Sequence, residues 1–411
     1  MTAPFDVDAH LAFLGLAGSH AYGTARAGSD VDLRGCCVAP LPARLSFRTH
    51  FEQFSWLGHE HPEAAGPPLG PNYAAAMERA RAHPSAGPSL EHDPVPDVVI
   101  FDLAKVVHLC AQSNPNMFEL LFMDDREVLF ATPVFEALRG RRELFLSQRV
   151  RHTYSGYAQG QLKRIQRHRE WLLHPPKAAP TRAEFDLPET STLSADDRNR
   201  IEEAIAKIIR GWTVDEAIEL PSAERDVLRE RLREFWSAAL AAGATLDSVV
   251  AASRSPGADP VDDDSLDEEV ARIAGARVGL GADVLHLLRQ ERRYQGARKH
   301  WQQFQRWQKE RNPKRAALEA AHGYDTKHGM HLIRLLRMAV EILRDGRVRI
   351  HRDDAEELLA IRDGKLPYEA LVGEAKGLER VMREVVIASP LPVQVDEGKL
   401  DDLLFELLTM A

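Results

Sequence analysis

Two carboxylates at alternate positions, Asp30 and Asp32, stand at the head of an apolar run, VDLRGCCVA over residues 31–39. Just upstream, the apolar run LAFLGLA over 11–17 ends in Gly18-Ser19-His20-Ala21-Tyr22-Gly23. Both runs read as strands, so Asp30 and Asp32 project to one side while Val31 points to the other. Carboxylates placed this way repel each other unless cations sit between them. Two magnesium ions held there, with manganese as the alternative, can activate an attacking hydroxyl and stabilise the leaving oxygen of a phosphoryl displacement. Gly18 permits a tight turn that brings backbone N–H groups and the Ser19 hydroxyl close to an anion. A third carboxylate is expected from the strand DVVIFDL over 97–103. Asp97 and Asp102 lie on opposite faces of it; Asp97 is preferred because it precedes its apolar run as Asp30 does, and Asp102 is the alternative. The competing reading of Asp30 and Asp32 is a solvated strand start with Asp as a turn residue. The Gly-Ser turn after an apolar strand favours the metal reading.

A second cluster lies far along the chain, in GYDTKHGMHLIRLLRMAVEILR over 323–344. Gly323 ends one helix, and Asp325 or Thr326 caps the next. Lys327, His331 and Arg334 then fall at i, i+4 and i+7 on one helical face. Three cations at a helix N-terminus suit a triphosphate. The alternative is a surface stripe paired with acidic neighbours. Glu119, in MFELLF, reads as a surface or cap residue. His59 and His61 read as solvated loop residues rather than metal ligands.

The elements that must position these residues divide the chain in two. An α/β (α+β) domain is expected over 1–146, with a proline- and histidine-rich insert at about 41–96 that reads as loop with one helix near 73–82. A mostly α-helical domain is expected over 147–411, with linker loops near 174–197 and 253–268. Helices are expected at 149–173, 195–211, 224–242, 283–311, 354–362 and 370–388, with an amphipathic one at the C-terminus. On 283–311, Tyr294, Ala297, Trp301 and Phe304 form a core stripe by their spacing, and the interleaved arginines and lysines offer a face for phosphates. The 411 residues are 44% hydrophobic and 28% charged, as in ordinary globular proteins, and the net charge of -9 argues against a generic nucleic-acid coat. Three cysteines without a C-x-x-C pair point to a reduced, cytoplasmic protein. No apolar stretch is long enough to span a membrane, and no secretory leader is expected at the N-terminus.

Together the two clusters resemble the polymerase-beta-type nucleotidyltransferase superfamily, and more narrowly its RNA-repair-pathway group. The residues that carry the resemblance are Gly18-Ser19-x-Ala21-Tyr22-Gly23, Ser29-Asp30-x-Asp32-x-Arg34-Gly35, Asn114-Pro115-Asn116 with Glu119-Leu120-Leu121-Phe122, Tyr157-Ala158, and Gly323-Tyr324-Asp325-x-Lys327-His328 with Met330-His331-Leu332-Ile333-Arg334. The resemblance implies a polymerase-beta-like sheet followed by helices. It implies transfer of a nucleoside monophosphate from an NTP to an acceptor hydroxyl, with an RNA end as the expected acceptor. By position, Gly18 and Ser19 correspond to the phosphate turn, Asp30 and Asp32 to the metal pair and Asp97 to the third carboxylate. It also favours Lys327, His331 and Arg334 as nucleotide contacts. The rival functions are nucleotidylation of a protein or small molecule, and an inactive binding or antitoxin-like module.

Overall fold

The computed structural model describes residues 4–58, 66–92, 95–190, 282–311 and 313–410. The helices expected at 195–211 and 224–242, the acidic loop near 253–268, and His59 and His61 lie outside the described residues.

A five-stranded mixed sheet organises the N-terminal part. Its strands are β1 (Leu11–Ala17), β2 (Asp32–Cys37), β3 (Gln53–Trp56), β4 (Asp97–Asp102) and β5 (Val128–Ala131), in the spatial order β3-β4-β2-β1-β5. β1 runs antiparallel to β2 and β5, β3 antiparallel to β4, and β2 parallel to β4. β1 is buried along its whole length, which is why it reads as an uninterrupted apolar run rather than an alternating one. One face of the sheet, with Leu14, Leu16, Leu33, Val98 and Ile100, packs on the helix Pro71–Ala82 through Tyr73, Ala76, Met77 and Ala80. The other face, with Phe13 and Cys36, packs on the helices Leu103–Ala111, Pro115–Leu121 and Pro133–Arg139.

That second core continues into residues far downstream. Leu332, Ile333, Leu336, Ala339 and Leu343 of the helix Thr326–Asp345 belong to it, as do Leu371, Ala375 and Met382 of Tyr368–Val385 and Leu400, Leu403 and Leu407 of Glu397–Met410. Accordingly, packing groups the chain as Met1–Leu172 with Lys314–Ala411, and separately Leu173–Pro313. This division differs from the one expected at residue 147. The sequence break near 147 marks a change from strands to helices, whereas the packing break follows which helices can bury their apolar stripe against the sheet.

The 41–96 insert holds more structure than a loop with one helix. It contains β3, the short helices Leu41–Leu45 and Gly87–His92, and the expected helix over Pro71–Ala82. β3 is four residues at the sheet edge with only Phe54 buried, so it leaves almost no alternation to read. Among the described residues, the helices Val150–Leu173, Ala282–Glu310, Ala355–Arg362 and Tyr368–Val385 fall close to the expected spans. In the Leu173–Pro313 unit, Arg182 holds Glu291 through two hydrogen bonds of 3.1 and 2.8 Å, its guanidinium lies over Tyr294, and Phe304 is buried. No helix among the described residues is long and apolar enough to cross a membrane.

Candidate active site

The site forms where β1 ends and β2 and β4 begin. β1 stops at Ala17, and Gly18 turns the chain with φ +61°, a left-handed conformation that glycine adopts without strain. The turn closes as a single helical turn, Gly18–Ala21, with the Tyr22 N–H donating to Gly18 O at 3.1 Å. A second left-handed glycine, Gly23 (φ +72°), ends it, and the Thr24 N–H returns to Ser19 O at 2.9 Å. Ala17 pairs with Asp32 across the antiparallel ladder, so the turn lies directly against that carboxylate. A Cβ at Gly18 would sit 2.6 Å from Asp32 Oδ2; no larger residue fits.

Register settles how the carboxylates meet. In the parallel β2–β4 pair Asp32 is opposite Asp97, so the two side chains leave the sheet on the same face. Cys36, on that face, points into the core built by the downstream helices. Asp97 Oδ1 accepts from the Gly58 N–H at 2.8 Å. Asp102 has a different task. It is buried, Oδ1 accepts from the Ala39 N–H and from Arg44 Nε and Nη2 at 3.0, 3.0 and 2.8 Å, and Oδ2 caps the helix Leu103–Ala111 through the Ala104 N–H. Its lone pairs are committed to the fold at the opposite end of β4.

Electrostatics mark Asp32 as the centre. Burial holds its carboxyl above the ordinary range; Arg34 and Lys327 pull it down, and Asp97 and Asp30 push it up. Arg34 Nη2 lies 3.4 Å from Asp32 Oδ1. A half-buried carboxylate flanked by two more favours a cation at this position, so the residues present fit divalent metal. Asp30 stands at the exposed entrance, before β2 begins.

The second cluster divides by burial. Lys327 is half-buried and close enough to act on the Asp32 carboxylate, although the sequence separates them by most of the chain. His331, one turn on, is also half-buried. Arg334 is not at the surface. It is buried, donates to Glu119 Oε1 at 2.8 Å, and its guanidinium stacks 3.7 Å from the centre of the Tyr22 ring. Glu119 is correspondingly buried, not a surface or cap residue. Burial holds the Tyr22 phenol well above its ordinary range, with Arg334 opposing. Arg334 thus meets the Gly18–Gly23 turn through the Tyr22 ring. A charged residue in the middle of MFELLF was the available signal, because an otherwise apolar helix buries a carboxylate only beside a partner.

The Thr326–Asp345 helix is anchored where Lys327 needs it. Of the two expected caps, Asp325 serves: its Oδ1 accepts from the His328 N–H at 3.1 Å. Asn114 likewise caps Pro115–Leu121 and donates to the Tyr157 hydroxyl at 2.9 Å. Sequence reasoning missed two residues beside the turn. His351 packs so closely on Gly23 that a Cβ there would lie 2.5 Å from its ring, and Arg352 N donates to Tyr22 O at 3.1 Å. Glu127 lies 4.0 Å from His351 Nδ1, and burial raises its carboxyl to about 7.

Residues 5–173 match the family model described as RNA repair pathway DNA polymerase beta family. No curated protein and no solved structure matches the chain.

Proposed function

From the match of residues 5–173 to the RNA repair pathway DNA polymerase beta family, we propose that this protein is a magnesium-dependent nucleotidyltransferase acting on RNA ends. The observation that carries the reading is the meeting of Gly18, Asp32 and Asp97 at the ends of three adjacent strands, with Lys327 acting on the same carboxylate.

Asp30, Asp32 and Asp97 are the residues that hold the metal. Magnesium, or manganese, supplies charge neutralisation of the phosphates and makes an acceptor hydroxyl a better nucleophile at neutral pH. The Gly18–Ser19 turn offers N–H groups and a hydroxyl to the triphosphate, and from the facing helix Lys327 adds positive charge and His331 a ring nitrogen. Arg334 acts through Tyr22: it supports the turn that meets the phosphates. In the transfer, the acceptor oxygen bonds to the α-phosphorus, the bond to the β-phosphate oxygen breaks, and pyrophosphate leaves. With Oδ1 of Asp97 held by Gly58, Oδ2 is the atom assigned to receive the acceptor's proton. The exposed Arg292, Arg293, Arg298, Lys299, Arg306 and Lys309 on Ala282–Glu310 favour RNA as the acceptor.

The test is incubation of the purified protein with magnesium, each labelled NTP in turn, and total RNA. Label should enter RNA, and Asp32→Asn should abolish the transfer while the circular dichroism spectrum stays that of the parent. Transfer retained by Asp32→Asn sinks the site. Label entering only protein or a small molecule redirects the acceptor, and no product with any acceptor leaves a binding module.

A further inference from the structure

Away from the sheet, three groups of metal-ligating type converge from three separate elements. His168 comes from the helix Val150–Leu173, Glu319 from the helix Pro313–His322, and Asp325 from the cap of Thr326–Asp345. One ligand atom from each lies within 4.8 Å of the others. We propose that these three residues form a transition-metal site, with zinc as its probe ion. The proposal does not depend on the nucleotidyltransferase reading.

Three observations carry it. Glu319 and Asp325 are only 2% and 0% exposed, so two carboxylates are buried close together, where a bound cation adds to the partners each already has. His168 Nδ1 stands 3.5 Å from Asp325 Oδ2. A direct charge-assisted hydrogen bond would close to about 2.7–2.9 Å. Bonds of about 2.0–2.1 Å to a tetrahedral ion instead place neighbouring ligand atoms about 3.3–3.5 Å apart. Finally, a supporting shell is already in place. His328 Nδ1 donates to Asp325 Oδ2 at 2.6 Å, Arg164 Nη1 donates to His328 Nε2 at 2.9 Å, and the His168 ring stacks on Trp171. Such second partners orient metal-bound carboxylates and histidines. Glu319 also lies in the last turn of its helix, where the dipole favours positive charge. One nitrogen and two oxygens suit zinc, cobalt or manganese better than magnesium, which prefers oxygen alone.

The experiment uses the full chain carrying Asp32→Asn, which disables the carboxylate site. After dialysis against chelator, it is titrated with zinc by calorimetry and with cobalt by visible absorption. One equivalent of zinc, and the intense cobalt bands of a tetrahedral site, are expected. Adding His168→Gln or Glu319→Gln should weaken zinc binding at least about tenfold. If Asp32→Asn takes up neither ion, or if both added substitutions leave zinc affinity unchanged, the proposal is overturned. Should either added variant fail to fold, the zinc stoichiometry and cobalt spectrum of Asp32→Asn decide alone.

Discussion

At the scale of single residues, one missing side chain and one buried carboxyl each leave a measurable signature. Gly18 is where β1 becomes the turn; alanine there must hold φ near +61° and push its methyl into Asp32. Gly18→Ala should cost roughly 1–3 kcal/mol of stability and remove most of the transfer activity, read from urea midpoints and labelled-NTP assays. Glu127 gives a pH signature. Its carboxyl is raised from 4.5 to about 7 by burial, the reverse of the usual acidic case. Below pH 4.5 both folded and unfolded chains hold the proton. Between 4.5 and about 7 only the folded chain keeps it, so stability falls as pH rises; above about 7 the penalty is complete. Glu127→Gln should therefore be more stable than the parent by up to roughly 3 kcal/mol at pH 8 and equal to it at pH 4, by thermal melts at both values. Asp30, Asp32, Gly18 and Ser19 were legible because alternate carboxylates and a glycine-serine turn after a strand are local patterns. Glu127 and His351 were not, because spacing does not reveal the burial that raises Glu127, and His351 meets Gly23 only across the fold.

Among the elements, the Thr326–Asp345 helix binds the two halves of the site together. Its first turn presents Lys327, and its third turn sends Arg334 inward to Glu119 and the Tyr22 ring. Arg334→Met leaves the Glu119 carboxylate buried without its cation and should cost about 3–5 kcal/mol. Adding Glu119→Gln removes that charge and should recover most of the loss, so a double-mutant cycle on urea midpoints separates the pair from simple packing. Spacing placed Lys327, His331 and Arg334 on one face, and the helix followed from sequence with Asp325 or Thr326 as its cap. Depth did not. A periodicity argument assigns direction around the helix axis, and only the neighbouring Pro115–Leu121 helix decides that Arg334 is covered while Lys327 is not. β3 and β5 were illegible for a plainer reason: each is four residues long, too short to establish a period.

For the molecule as a whole, the sheet and the C-terminal helices are one folding unit despite their distance in sequence. A fragment ending at Leu172 lacks Ile333, Leu336, Leu343, Leu371 and Leu403, which fill the core over Phe13, Phe118 and Phe135. It should show no cooperative thermal transition, whereas the full chain should, by near-ultraviolet circular dichroism. The α/β class and the later helices were legible because strands and helices differ in period; which helices share a core was not, because apolar stripes look alike whatever they pack against. The shared core has a consequence for synthesis. A ribosome completes β1, β2 and β4 long before Thr326–Asp345 emerges, so the helices Leu103–Ala111, Pro115–Leu121 and Pro133–Arg139 cover the sheet first and the core above them stays open until that helix follows. A transcript broken upstream of that helix should then yield a polypeptide that carries Asp30, Asp32 and Asp97 yet lacks Lys327 and the closing layer of its core.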